Sequence, residues 1–163
     1  MTDVPTIAPF LWFNGQAEEA ARLYTSLFPD SRIDSVTRSA VDTSGAKTGE
    51  PLVVAFTLAG RPYLAMNGGA HDPFNDAVSL SVYCADQAEV DRLWDGLIAD
   101  GGRPVQCGWL HDRFGLRWQI VPAMLPKLLD GPDRAGAKRA MEAMMRMVKL
   151  DIAALQRAFD GGG

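Results

Sequence analysis

The sequence carries an internal repeat, which constrains the fold more than any other feature. Three segments of the first half each have a similar segment in the second half. Two of these segments are short and one is longer. The matches are Gln16–Glu18 with Gln87–Glu89, Arg22–Tyr24 with Arg92–Trp94, and Gly60–Met66 with Gly115–Val121. Self-similarity of this kind indicates a duplicated structural unit. We therefore expect both halves to fold into the same order of elements.

In the first half, short runs rich in apolar and aromatic residues predict strands. A helix with its apolar residues at helical spacing is predicted from Ala17 to Phe28, with Asn14 as the candidate N-cap. The predicted strands are Ile7–Phe13, Ser31–Arg38, Leu52–Leu58 and Arg61–Asn67. Ser39 to Pro51 has almost nothing to bury, so we expect a mobile loop and a candidate gate.

The second half repeats this order. Val78 to Cys84 alternates apolar and polar residues, as a half-buried strand does. Asp86 followed by Glu89 is a capping-box pattern that begins a helix, which ends at Gly101-Gly102. Pro104–Leu110 and Leu116–Pro122 are the last predicted strands, and Gly115 supplies a positive φ to the turn before the second of them.

The sequence thus predicts an α+β fold built from two βαβββ modules, at about 6–75 and 76–122, within a single domain spanning 1–163. A helical extension follows over 123–160. It contains a short turn at Met124–Leu129, a helix at Arg134–Lys149 and a last helix capped by Asp151. The methionines of the longer helix predict packing in the core or at a dimer interface, rather than a promiscuous binding surface.

Composition excludes several classes of function. The chain has 163 residues, a net charge of −4 and a pI of about 5.1. Binding to nucleic acid or to a membrane surface is disfavoured, because Lys and Arg are nowhere concentrated. Met1 to Pro5 lacks the basic start of a leader, and no apolar run is long enough to span a bilayer, so we expect a cytoplasmic protein. Cys84 and Cys107 have no metal-binding spacing and are interpreted as buried thiols, although a disulfide between them stays open.

Several motifs resemble one known family. Phe10–Phe13 with Gly15–Ala20, Ala65–Gly69, Cys107–Leu110 and Asp112–Gly115 resemble the PhnB-like branch of the vicinal oxygen chelate (glyoxalase/bleomycin resistance) superfamily. That branch is often labelled a demethylubiquinone methyltransferase domain. The resemblance implies paired modules whose mixed sheet curls around a cavity, and a homodimer.

Superfamily enzymes commonly hold a divalent metal at four positions of the cavity. Carried over by resemblance, these positions fall at Pro9, near Ala65 or Met66, between Ala77 and Ser79, and at Gln119. Of these residues only Gln119 is a possible ligand, and a divalent metal needs three or more N, O or S ligands. We therefore predict no metal and no other cofactor.

The candidate cavity residues are aromatic and polar side chains on strands and adjacent loops. They are Trp12, Asn67, His71, Ser79, Trp109, Arg113 and Gln119. His71 is the candidate general base, because imidazole titrates near neutral pH and this residue follows the Asn67-Gly68-Gly69 bend. A solvent-facing loop position is nevertheless the favoured interpretation of both His71 and His111. For Arg113 the favoured interpretation is a turn with a local ion pair, and binding of a substrate carboxylate is the alternative.

Three functions stay open at this level. The missing ligands favour a metal-free cavity protein that binds or transforms a small organic molecule. A metal-dependent glyoxalase or dioxygenase would need unexpected ligands such as His71 to reach the cavity. A methyltransferase, as the family label implies, is less favoured, because no strand is followed by a Gly-rich turn and helix. No set of nucleophile, acid and base can be assembled from spacing, so whether the chain is an enzyme also stays open.

Overall fold

The chain folds into two compact units, each built around its own sheet. The computed structural model describes residues 5–162, so the prediction about a leader at Met1–Pro5 lies almost entirely outside the described residues. The first unit runs to Pro73 and the second begins at Phe74. No helix within 5–162 has the length and apolar character needed to cross a bilayer.

The first unit is a four-stranded mixed sheet with one helix. Its strands lie in the order β1-β4-β3-β2, with β1 parallel to β4 and the other pairs antiparallel. Its elements are β1 (Phe10–Phe13), α1 (Ala17–Leu27), β2 (Arg32–Arg38), β3 (Pro51–Leu58) and β4 (Arg61–Asn67).

The second unit repeats this topology and adds three helices. Its strands lie in the order β5-β8-β7-β6, again with the first strand parallel to the last. Its elements are β5 (Leu80–Cys84), α2 (Gln87–Ile98), β6 (Arg103–Pro104), β7 (Trp109–His111), β8 (Arg117–Pro122), α3 (Leu125–Asp130), α4 (Arg134–Met144) and α5 (Ile152–Asp160). The prediction of an α+β fold with duplicated βαβββ modules and C-terminal helices is therefore confirmed.

Several predicted boundaries are wrong, since β5 begins at Leu80 rather than Val78 and α2 ends at Ile98 rather than at Gly101-Gly102. The first strand begins at Phe10 rather than Ile7. The single strand predicted for 104–110 is two strands, β6 and β7, because Cys107 and Gly108 take positive φ angles and turn the chain. The predicted helix 134–149 ends at Met144, and the carbonyls of Met147 and Val148 beyond it accept hydrogen bonds from the backbone N–H groups of Cys107 and Gly108.

Helix α1 covers one face of the first sheet. Tyr24 of the helix is fully buried, and its ring centroid lies 6.4 Å from that of Phe56 on β3. Phe56 in turn stacks on Tyr63 of β4 at 5.4 Å. Such aromatic contacts add about 0.5–1.5 kcal/mol per pair to the stabilisation from burial. This face is therefore the core of the first unit.

Helix α2 covers the equivalent face of the second sheet. Leu93 and Leu97 of the helix are completely buried, as are Leu110 and Ile120 of the sheet, and Trp118 is 1% exposed. Cys84, at the end of β5, is also buried. Burial raises the pKa of its thiol to about 12, so this group stays protonated at neutral pH.

The two helices begin differently. Asn14 is not the cap of α1, since the N-cap is Gln16 and its side chain makes no capping bond. The side chain of Asn67, from β4, accepts the hydrogen bond of the Ala17 N–H at 2.9 Å instead. For α2 the predicted capping box is confirmed, since Asp86 accepts from the Glu89 N–H and the Glu89 carboxylate accepts from the Ala85 N–H.

The loop between β2 and β3 is held by its own hydrogen bonds. Its two ends are joined by the Ser39 N–H bond to the Glu50 carbonyl, and the Asp42 carboxylate accepts from Thr48 inside it. The Ser44 hydroxyl donates to the Gly68 carbonyl at 2.9 Å, and Ala46 is buried. The loop is therefore a folded element of the first unit, although its sequence has little to bury.

Candidate functional site

The candidate site lies on the face of the second sheet that points away from α2, which we call the open face. Residues that are paired across strands lie on the same side of a sheet, so the register identifies its members. They form three rows across the strands: Arg103, His111 and Arg117; Trp109, Gln119 and Ser81; Val121 and Tyr83.

Three of the predicted site residues lie together at the middle row: Trp109 and Gln119 belong to it, and Ser79 contacts Gln119. Trp109 is paired with Gln119, and the Gln119 side-chain amide donates a hydrogen bond to the Ser79 hydroxyl at 2.9 Å. Ser79 precedes β5 directly, so its side chain reaches the open face from the start of that strand. An aromatic ring next to an amide and a hydroxyl can orient a small organic ligand.

The C-terminal helices cover one end of the open face and create a pocket there. The pocket has a volume of about 350 Å³, within the range of small-molecule sites. Ser81, Tyr83, Trp109, Gln119 and Val121 line it from the sheet, and Cys107 lines it from the turn. The helical side supplies Leu125, Leu129, Asp130 and Met144 together with Leu150. The pocket therefore has apolar walls and a few polar groups.

The helical wall of this pocket is part of a hydrophobic cluster. Leu125, Leu150 and Leu155 are nearly or completely buried, and Met144 and Met147 pack against them. Met141 and Met145 of the same methionine stripe are exposed. Of the three methionines predicted to form this stripe, Met144 packs in the core, and together with Met147 it fixes the position of the pocket wall.

A charged row lies next to the pocket on the same face. Arg103 Nε donates to His111 Nδ1 at 3.1 Å, and His111 Nε2 lies 3.5 Å from Asp76 Oδ1. Arg117 Nε donates to the same Asp76 oxygen at 2.7 Å. Burial and, next, the charges of Arg117 and Arg103 lower the pKa of His111. The imidazole is therefore neutral at pH 7, with its proton on Nε2, facing Asp76.

The turn between β7 and β8 is built on a buried carboxylate. Asp112 is 3% exposed, and its Oδ1 accepts from the N–H groups of Phe114 and Leu116 at 2.9 and 3.0 Å. Its Oδ2 accepts from the indole of Trp118 at 2.9 Å. This residue therefore ties the turn to the core and positions the two strands that carry the open face.

The remaining predicted site residues lie elsewhere. Asn67 is buried, and its side chain also donates to the Pro51 carbonyl at 3.0 Å, so it holds the first unit together. His71 is exposed and hydrogen-bonds the Asp72 carbonyl. Arg113 lies 3.6 Å from Asp100 and 4.8 Å from the Phe114 ring centroid, away from the paired rows of the open face.

Trp12 lies on the face of the first sheet that points away from α1. It is 40% exposed, and its indole N–H donates to the Gly69 carbonyl at 3.1 Å. A Cβ atom at Gly68 would lie 2.1 Å from the indole ring, so only glycine fits beneath it. This face carries a larger pocket of about 460 Å³, whose lining includes Arg32, Asp34, Ala55, Thr57 and Leu64.

The donor set does not fit the divalent metal that the superfamily resemblance implies. At the carried-over positions of the second unit, the oxygen donors are the Gln119 amide and the Ser79 hydroxyl, which bond to each other. Within residues 5–162, no group of three or more His, Cys, Asp or Glu side chains is arranged to hold a metal. Two neutral side chains fall short of the three or more ligands that hold such an ion.

Sequence reasoning missed Asp76, Arg103 and Arg117 as members of a site. Arg117 alternates with Gln119 and Val121 in the sequence, and this pattern already indicated a shared face. The neighbours of Arg117 could not be identified, because the short strand β6 and the register of β7 with β8 are not visible in a local pattern.

Comparison with known proteins gives one family. The family model described as 3-demethylubiquinone-9 3-methyltransferase matches residues 5–121. That match covers both modules and stops before the C-terminal helices. Among curated proteins, no significant match to the chain is found.

Solved structures agree with this assignment. The chain is 34% identical to a PhnB protein from Bacillus cereus that is described as a candidate 3-demethylubiquinone-9 3-methyltransferase. The match covers 73% of this chain and 100% of the other, with a TM-score of 0.66. Protein PA1353 from Pseudomonas aeruginosa is 21% identical over 71% of this chain and 95% of its own, with a TM-score of 0.56, and so shares the fold.

Proposed function

The chain belongs to the PhnB-like 3-demethylubiquinone-9 3-methyltransferase family, and we propose that it binds a small organic molecule in the pocket of its second unit. The observation that carries this proposal is the convergence of Trp109, Gln119 and Ser81 on a pocket of about 350 Å³ that the C-terminal helices close on one side. Apolar walls with a few oriented polar groups are the usual composition of such sites.

The pocket favours a ligand with an aromatic or otherwise flat apolar part. Trp109 and Tyr83 offer ring surfaces, and Leu125, Leu129 and Met144 offer an apolar wall on the opposite side. Stacking on such rings contributes about 0.5–1.5 kcal/mol beyond the burial of area. Gln119 and Ser81 would then fix the orientation of a polar substituent.

Methyl transfer, which the family description names, is the second candidate. It would require S-adenosylmethionine to bind, and isothermal titration calorimetry measures this directly. Saturable binding would favour the transferase, and we would then assign the aromatic ligand the role of methyl acceptor. A calorimetric blank would leave the binding function as proposed here.

Gln119 is the residue that tests the binding function. Leu64 is the equivalent position in the first unit. Gln119→Leu therefore replaces the polar residue of the pocket by the apolar residue that the first unit has at this position. We expect hydrocinnamamide to bind about three- to tenfold more weakly to this variant, because its amide loses a hydrogen-bonding partner. The measurement is calorimetry or tryptophan fluorescence.

Leu64→Gln in the first unit is the matched control. It makes the reverse exchange on a half-buried position of the other sheet and should leave the affinity unchanged. Equal affinities of the wild type and of both variants would contradict the assignment of the ligand to this pocket.

A further inference from the structure

Next to the pocket, three basic side chains and one exposed carboxylate share a single row. Arg103, His111 and Arg117 are paired in register across β6, β7 and β8, so they lie side by side on the open face. The row adjoins the pair formed by Trp109 and Gln119, which lines the pocket. Positions two residues apart on a strand are about 7 Å apart, so one ligand can touch both rows.

The one carboxylate in this cluster, Asp76, comes from a turn rather than from the sheet. Its side chain is 76% exposed, whereas those of His111 and Arg117 are 9% and 14% exposed. It therefore covers two buried partners from the solvent side. With two guanidinium groups and one carboxylate, the cluster keeps a net positive charge while His111 is neutral.

The contacts of Asp76 are unequal. Arg117 Nε donates to its Oδ1 at 2.7 Å, which is a short charge-assisted bond, but His111 Nε2 lies 3.5 Å from the same oxygen. One oxygen thus serves both donors, and the imidazole contact is at the limit of a hydrogen bond. A carboxylate or phosphate group placed between these two donors could give each of them its own oxygen.

We propose that this row binds the anionic end of the ligand, and that Asp76 occupies the oxyanion position until the ligand displaces it. The ligand class is a molecule with an aromatic part on Trp109 and a carboxylate or phosphate group on Arg103, His111 and Arg117. This inference rests on the proposed binding function of the pocket and specifies the chemistry of its ligand.

Asp76→Asn tests the displacement, because it removes the competing charge from an exposed turn and leaves the sheet intact. We expect hydrocinnamate and phenethyl phosphate to bind about threefold or more tightly to this variant in calorimetry. The neutral analogue hydrocinnamamide, which has the same length, should keep its wild-type affinity. A larger gain for phenethyl phosphate assigns the site to phosphate esters, and a larger gain for hydrocinnamate assigns it to carboxylates.

Arg103→Gln tests the row itself, with Arg146→Gln as the control for loss of one positive charge elsewhere in the second unit. Arg103 is exposed at the short strand β6, so the substitution leaves the core untouched. We expect Arg103→Gln to weaken both anions about threefold or more and to leave hydrocinnamamide unaffected, while Arg146→Gln changes none of the three.

The outcomes separate this inference from the proposed function. If hydrocinnamamide binds and Gln119→Leu weakens it, but Asp76→Asn leaves the anions unchanged or weaker, the anion site is wrong and the pocket stands. If Asp76→Asn strengthens the amide as much as the anions, the anion site is also wrong. If none of the three ligands binds the wild type or Asp76→Asn at about 10 mM, both proposals fall.

Discussion

Leu64 of the first unit and Gln119 of the second occupy the same step of the internal repeat and the same place in their sheets. Leu64 pairs with Phe10 of the parallel neighbouring strand, and Gln119 pairs with Ser81. The residues directly before them, Tyr63 and Trp118, point to the opposite face, which the helix of each unit covers. Both are large aromatic residues that pack into the core.

The difference lies on one face of each sheet. The sides that pack against α1 and α2 keep a similar composition, with Tyr24 and Trp94 at matching helix positions. The other sides diverge, since Phe10 and Trp12 on the first sheet correspond to Ser81 and Tyr83 on the second. The duplication therefore keeps the helix-covered face similar in both copies, whereas the opposite face has diverged, and the side chains of the proposed site lie on that diverged face of the second copy.

The matched aromatic residues Tyr63 and Trp118 provide the strongest test of this comparison. Trp118 is 1% exposed and hydrogen-bonded, so Trp118→Ala should lower the free energy of unfolding by about 3–5 kcal/mol. Tyr63 is half-buried, and Tyr63→Ala should cost about 2 kcal/mol. Hydrogen exchange with mass spectrometry measures both, and each loss should be largest in the unit that carries the substitution. Equal losses would mean that the two helix-covered faces contribute equally.

Asp112 and Asn67 sharpen the comparison, because each is a buried polar residue that joins a sheet to another segment. Asp112→Ala leaves three N–H donors without their acceptor, and we expect a loss of about 3 kcal/mol. Asn67→Ala removes the bonds to Ala17 and Pro51 and should cost about 1–2 kcal/mol. Urea unfolding followed by circular dichroism provides the measurement, and a larger loss for Asn67→Ala would reverse the order.

The pH dependence of stability gives the smallest effect. Burial and the neighbouring guanidinium groups lower the pKa of His111 in the folded chain, so the unfolded chain binds its proton more readily. The stabilisation is fully present above the ordinary pKa of histidine and is lost as the pH falls through the lowered value.

His111→Gln should remove this pH dependence. Below about pH 6.5, the unfolding free energy of the variant should change less steeply with pH, by at most about 1.4 kcal/mol per pH unit. His71→Gln, at an exposed position of the first unit, is the control. Urea unfolding at a series of pH values measures the slope. An unchanged slope in His111→Gln would contradict the buried, neutral imidazole.

Local patterns predicted most of the fold. The capping box at Asp86 and Glu89 and the neighbouring strands β3 and β4 depend on residues close in the chain, and the structure confirms these elements. The repeat predicted the βαβββ order of elements in the second unit even though β6 is only two residues long. Such a short strand has no periodicity of its own, so the boundary between β6 and β7 was missed.

The candidate site was harder to predict, because its contacts join distant residues. The Asn67 side chain accepts a hydrogen bond from the first N–H of α1, 50 residues away in the sequence. Arg117 donates a hydrogen bond to Asp76, which is 41 residues away. The pairing of Ser79 with Gln119 was foreseen only as two separate polar residues, since their contact depends on the parallel register of β5 and β8. Alternation along a strand indicates which residues share a face, but not their neighbours on adjacent strands.

The two cysteines of the second unit give the chain a built-in chemical reporter. Cys84 is buried with a thiol pKa of about 12, so an alkylating reagent at neutral pH reaches its thiolate only when the unit opens. Cys107 is partly exposed and lines the pocket. The labelling rate of Cys84 therefore measures how often the second unit unfolds, while protection of Cys107 measures occupancy of the pocket, and a single mass spectrum separates the two in the unmodified protein.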